Sequence, residues 1–137
     1  VNTTPLTRTL TLLLETYEGP VPVPARLSYR ADDPYAVTAS FDVGAGEPVR
    51  WVFARDLLDE GMVGPAGDGD VIVSPEVEEG ELVIRLHLRS PDGAAVLTAR
   101  ADDVLLFLGE TYAMVPAGRE SDFLDIEALL SGLREAA

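Results

Sequence analysis

Residues Glu81 to Arg100 read ELVIRLHLRSPDGAAVLTAR, and no other part of the chain is so narrowly constrained. Leu82, Ile84, Leu86 and Leu88 alternate with Val83, Arg85, His87 and Arg89, a period of two that suits a strand with one apolar face. Ser90-Pro91-Asp92-Gly93 follows as a turn: proline presets φ, aspartate bonds to nearby backbone, and glycine accepts conformations other residues avoid. Ala94 to Arg100 then returns as the antiparallel partner, so a hairpin is predicted here.

The stretch from Asp33 to Val73 carries the densest mixture of aromatic and punctuating residues. Pro34 holds Asp33 extended and aims the chain into a strand whose Val37, Ala39, Phe41 and Val43 share a face. Gly44, Gly46 and Pro48 interrupt the alternation; Val49, Trp51 and Phe53 resume it, so a second hairpin is expected. Asp56, Leu57 and Leu58 fit one or two helical turns closed by Gly61, the residue best suited to a left-handed C′ position. Gly64 to Asp70 is too rich in glycine for regular structure.

Around these blocks, Val1 to Pro5 read as a frayed end and Thr7 to Glu15 as a strand. Gly19, Pro20, Pro22 and Pro24 make a stiff connection or an edge segment, because proline cannot donate to a ladder. Ala25, Leu27 and Tyr29 continue as a strand, with Arg26, Ser28 and Arg30 on the opposite face. Asp70 to Ser74 form a short strand ended by Pro75, and Glu76, Glu78, Glu79 and Gly80 an acidic turn. The period then becomes helical: Asp102 is placed to cap a helix whose stripe is Val104, Leu105, Phe107, Leu108 and Tyr112. Pro116-Ala117-Gly118 breaks it. Asp125 opens a last helix with Ile126, Leu129, Leu130 and Leu133 at helical spacing and Arg134 in its last turn. Strands first and helices last indicate an α+β fold in one domain over residues 1–137, mainly an antiparallel sheet with one short central helix and two C-terminal helices.

Charge excludes several functions. Twenty-four carboxylates face ten basic residues, all arginine, for a net charge of -14. Nucleic-acid affinity rests on neutralising phosphates, so that balance opposes it, and it opposes an anionic membrane surface as well. No apolar run is long enough to cross a bilayer, so direct membrane insertion is not expected. Without cysteine there is no disulfide, thiolate metal site or cysteine nucleophile.

Few residues suggest chemistry. His87, the only histidine, sits between arginines on the less apolar face of its strand, and no G-x-S-x-G elbow accompanies it. Asp68-Gly69-Asp70 begins like a calcium loop, but the fifth and twelfth positions are Ile72 and Glu79, so no metal is expected. Without lysine, Gly64 to Gly69 cannot be a Walker loop. No catalytic residue and no cofactor is therefore assigned. Arginine and tryptophan are common where partners are gripped, which singles out the segment from Arg50 to Asp56. Trp51 shares its face with Val49 and Phe53 and belongs to the core; Arg50, Arg55 and Asp56 are the exposed candidates for a partner surface.

DPYAV, VRWVFARDLL, GPAGDGDV and TYAMVPAGRESDFLD, in that order, resemble the SsgA-like family of actinobacterial sporulation and cell-division proteins, over about Pro24 to Leu133. The resemblance implies a non-enzymatic cytoplasmic protein at the septum that helps place or stabilise the division protein FtsZ, directly or through SsgA-like relatives. It also implies a Whirly-like fold and a homotrimer. That fold raises an alternative, single-stranded nucleic-acid binding, which the acidic charge and the lack of aromatics interleaved with cations oppose.

Overall fold

The computed structural model describes residues 4–44, 46–124 and 130 of the chain. Seven strands precede the main helix: β1 (Leu6–Thr16), β2 (Gly19–Arg30), β3 (Asp33–Phe41), β4 (Val49–Ala54), β5 (Val71–Glu78), β6 (Glu81–Ser90) and β7 (Gly93–Arg100). Helix α1 (Arg55–Glu60) separates β4 from β5, α2 (Ala101–Met114) follows β7, and a 3-10 turn spans Glu120–Phe123. The strands make one antiparallel sheet in the order β4-β3-β2-β1-β7-β6-β5. The last predicted helix, from Asp125, lies outside the described residues apart from Leu130.

Alternation carries through the register. Leu12 faces Val23, Leu27 faces Ala39, Val37 faces Phe53 and Leu86 faces Leu97, so these residues share one face. That face meets Val104, Phe107 and Leu108 of α2 in a single buried cluster, and each fully buried side chain of this kind contributes about 1.5–3 kcal/mol. The face is concave: Trp51 of β4 and Leu88 of β6 line one cavity although β3, β2, β1 and β7 lie between their strands. The seam of the curled sheet is narrow, since β1 meets β7 only at Leu13↔Thr98 and Leu14↔Leu97.

The proline-rich segment is resolved as strand. Residues Gly19 to Pro24 pair with β1 throughout, whereas β3 joins β2 only from Ala25 onward. Pro24 O accepts the Asp42 N–H from the β3 side, so Pro20, Pro22 and Pro24 all turn their donorless backbone away from β1. Pro75 does not end β5, which runs on to Glu78 in register with β6. An outward-facing proline on an edge strand breaks no ladder bond, which is why the predicted stop fails there.

Three local expectations need correction. Gly61 is right-handed, with φ −67°; its glycine is required because a Cβ would overlap Val73 Cγ1 and Cβ. Asp102 does not cap α2: Arg100 occupies that position, and Asp102 and Asp103 lie in the first turn, where their charge suits the helix dipole. Leu105 is exposed and Val83 buried, since α2 turns Ala101, Val104, Phe107, Leu108 and Thr111 inward. Gly61→Ala should therefore destabilise the fold by about 1–3 kcal/mol in urea unfolding. Val73→Ala should relieve part of that loss in the double mutant; purely additive effects would contradict the contact.

Candidate functional site

The segment from Arg50 to Asp56 divides between surface and core. Arg50 lies on the convex face of the sheet, where the register aligns Arg26, Ser40 and Arg50 in one row across β2, β3 and β4. Both arginines are exposed, and neither is in an ion pair among the described residues. Thr9, Asp42 and Glu47 border the same surface depression, and Asp42 accepts the Gly44 N–H. Farther along this part of the face Arg30 is held by Asp32, so Arg26 and Arg50 are the cations of the β2–β4 half that no ion pair holds among the described residues. Asp56 is exposed in the first turn of α1.

Arg55 is not on that surface. It is 1% exposed, and its Nη1 donates to the backbone oxygens of Thr111 at 3.2 Å and Val115 at 2.7 Å. Thr111 O also accepts the Val115 N–H at 2.9 Å, and Val115 is the C-cap residue of α2, so the cation adds a second donor to the first carbonyl, supplies one to the second and suits the dipole at this helix end. The guanidinium lies 5.0 Å from the Tyr29 ring centroid and 4.4 Å from that of Tyr112, a cation–π clamp on both sides. Its Nη2 is 3.5 Å from the Glu120 carboxylate, but Nη2 and Nε make no hydrogen bond. The expected exposure of Arg55 is thus overturned. Strand parity held the signal: Val49, Trp51 and Phe53 point inward, and 55 is the next inward position.

The clamp perturbs its neighbours. Burial pushes the Tyr29 hydroxyl up to about 12, with Arg55 opposing and Glu120 and Asp33 adding; that hydroxyl donates to Pro34 O at 2.8 Å. Tyr112 is also pushed up to about 12, first by burial and then by its hydrogen bond to Asp59. Backbone hydrogen bonds from Glu120 itself and from Gly118, with the charge of Arg55, hold the Glu120 carboxyl below its ordinary value against the effect of burial. Sequence reading missed Tyr29, Tyr112 and Glu120 as a group, because pairs so distant in the chain leave no periodic trace.

Elsewhere the chemistry is sparse. His87 is half-buried on the convex side, and Asp68 and Asp70 are exposed in their loop. Among the described residues no three His, Asp or Glu side chains gather to hold a metal ion, and no helix is long and apolar enough to cross a membrane. Arg85 binds Glu15, Glu76 and Glu78 on the other half of the convex face. The arrangement suits binding through a charged, hydroxyl-lined sheet face.

Residues 23–120 match the family described as Streptomyces sporulation and cell division protein, SsgA. The chain is 48% identical over 110 residues to the sporulation-specific cell division protein SsgB of Thermobifida fusca, covering 80% of each. It is similar to an SsgA-like sporulation-specific cell division protein structure from Thermobifida fusca, with TM-score 0.86 and 42% identity over 96% of this chain and 97% of that one. A structure from work on SsgB mutations and longitudinal cell division during sporulation of Streptomyces coelicolor matches with TM-score 0.83 and 47% identity, over 88% and 96% of the two chains.

The tyrosines give the site a pH signature. An unfolded tyrosine ionises near 10, and both clamp tyrosines hold their protons to about 12. Their contribution to stability is therefore whole below pH 10 and is lost as pH rises toward 12. An ultraviolet titration should show two late ionisations, with Tyr29→Phe and Tyr112→Phe each removing one; ionisation of every tyrosine near 10 in the folded protein would contradict the clamp.

Proposed function

We propose, from the premise that this chain belongs to the SsgA family of sporulation and cell-division proteins, that it is a non-enzymatic regulator of sporulation-specific division. It helps recruit or stabilise the FtsZ ring at septum sites, directly or through an SsgA-like relative. The observation that carries this reading is the likeness, over four-fifths of both chains, to a sporulation-specific cell division protein. The surface is consistent with it: Arg26 and Arg50 are exposed, without ion-pair partners among the described residues, and rim cations of this kind steer an acidic partner and set its register. The place of action under this reading is the cytoplasmic side of the septum.

The same reading includes a homotrimer. Leu105 and Leu106 on α2, and Val77 and Leu82 on the β5–β6 hairpin, are exposed apolar side chains that self-association would cover. It also includes a Whirly-like relation, supported by a sheet closed against a helix. Single-stranded nucleic acid is the weaker partner: Trp51, Phe41 and Phe53 lie on the concave side, opposite Arg26 and Arg50, so no base-stacking platform joins those cations.

Co-sedimentation with FtsZ across a salt series tests the function. Pelleting of this protein with GTP-dependent polymer, weakened by salt and by Arg50→Glu, is the expected result. No pelleting, with the protein alone or with SsgA-like relatives added, would overturn it.

A further inference from the structure

The sheet leaves several strand edges open, and they are not alike. On β5, Val73 exchanges both backbone hydrogen bonds with Ala66, and Pro75 offers no N–H. On β2, Pro20 and Pro22 face outward before β3 joins. The part of β1 preceding its seam with β7 is bridged to α2 by Arg8 and Glu110. Proline and covering segments are the usual means of closing an edge to another strand.

β4 has neither. Because Pro24 pairs outward to Asp42, the ladder parity follows through Arg26↔Ser40 and Ala39↔Trp51. Val49, Trp51 and Phe53 spend their backbone groups on β3, and Arg50 and Val52 present theirs to the free edge. No loop bond reaches Arg50 or Val52 among the described residues, and Val52 is 60% exposed. Beneath this edge lies the open end of the concave face, a cavity of about 300 Å³ floored by Val23, Phe41, Leu88 and Leu97 and walled by Trp51. That volume is at the lower end for a ligand pocket. Among the described residues, its one charged wall residue is Asp92.

We propose that β4 is a strand-addition site for an extended segment of a partner protein, read as β-branched, bulky apolar, acidic. The ladder supplies affinity and the alternate side chains supply selection. A residue added opposite Trp51 points to the concave side, where the cavity takes a bulky uncharged group and Asp92 rejects an acidic one. The residue opposite Arg50 emerges on the convex face, where an acid meets an arginine that no ion pair occupies among the described residues; Asp42 and Glu47 border that arginine without pairing with it. The residue opposite Val52 lies against an exposed valine, which suits a β-branched neighbour. This deepens the partner-docking reading above and rests on it, while using a measurement that does not involve FtsZ.

Trp51, the sole tryptophan, reports occupancy directly. The probe is the blocked peptide acetyl-Thr-Val-Phe-Glu-Thr-amide, titrated while tryptophan emission is followed. A saturable blue shift is expected, at least about tenfold weaker when the peptide phenylalanine is replaced by aspartate or when the protein carries Arg50→Glu. N-methylation of the peptide valine and glutamate should abolish the shift, and N-methylation of its phenylalanine should not, since only the first two donate to the edge. Val52→Pro removes one outward N–H without touching the bonds to β3; should it fail to fold, Arg50→Glu and the methylated peptides still decide. No saturable shift, equal shifts for all peptides, or a shift set by protein concentration alone, which would make a second copy the occupant, would overturn the proposal. FtsZ co-sedimentation could stand in any of those cases.

Discussion

A single guanidinium joins four parts of the chain: α1, β2, the end of α2 and the 3-10 turn. Arg55 opens α1, yet it ends α2 by donating to Thr111 and Val115. It also faces Glu120 in the 3-10 turn and is gripped by rings from β2 and α2. A lone buried cation would be costly, and here two carbonyls, two aromatic faces and a carboxylate share the compensation. The consequence is geometric: the end of β4, the start of α1 and the end of α2 are fixed relative to one another. The direction in which β4 leaves its edge is set from inside the molecule.

That fixing bears on function through the sheet. A curled sheet has two unlike faces. The concave one is used up by α2 at one end and, among the described residues, left open at the other, where Trp51 and Leu88 line one cavity. The convex one carries charge and hydroxyls: an acid-rich cluster around Arg85 on one half, and on the other Arg26 and Arg50, in no ion pair among the described residues. β4 stands where the open concave end, the free arginines and an uncovered edge meet.

Much of this was legible in the sequence where one face of a strand is buried and the other wet. The β6–β7 hairpin follows from alternation and Pro-Asp-Gly, and the observed β6 spans Glu81–Ser90 as read. Reading failed where a residue's reason lay across the fold. Gly61 is glycine because Val73 touches it, not because its own dihedral demands it. Pro75 reads as a stop in the sequence, since the outer position that tolerates it is a property of the assembled sheet. Arg55 reads as exposed because arginine usually is, although the parity of its own strand points inward. That same parity puts Arg50 on the surface, and Arg26 reads as an outward residue, but nothing local aligns the two in one row.

The most direct test of the account is urea unfolding of Arg55→Ala beside Arg50→Ala. Removing the buried cation takes the Arg55 donor from the Val115 carbonyl and leaves the buried Glu120 charge without its counter-ion, so a loss of about 3–5 kcal/mol is predicted. The exposed one should change stability by no more than about 0.5 kcal/mol. Equal and small effects, below about 1 kcal/mol for Arg55→Ala, would contradict the claim that this arginine organises the fold.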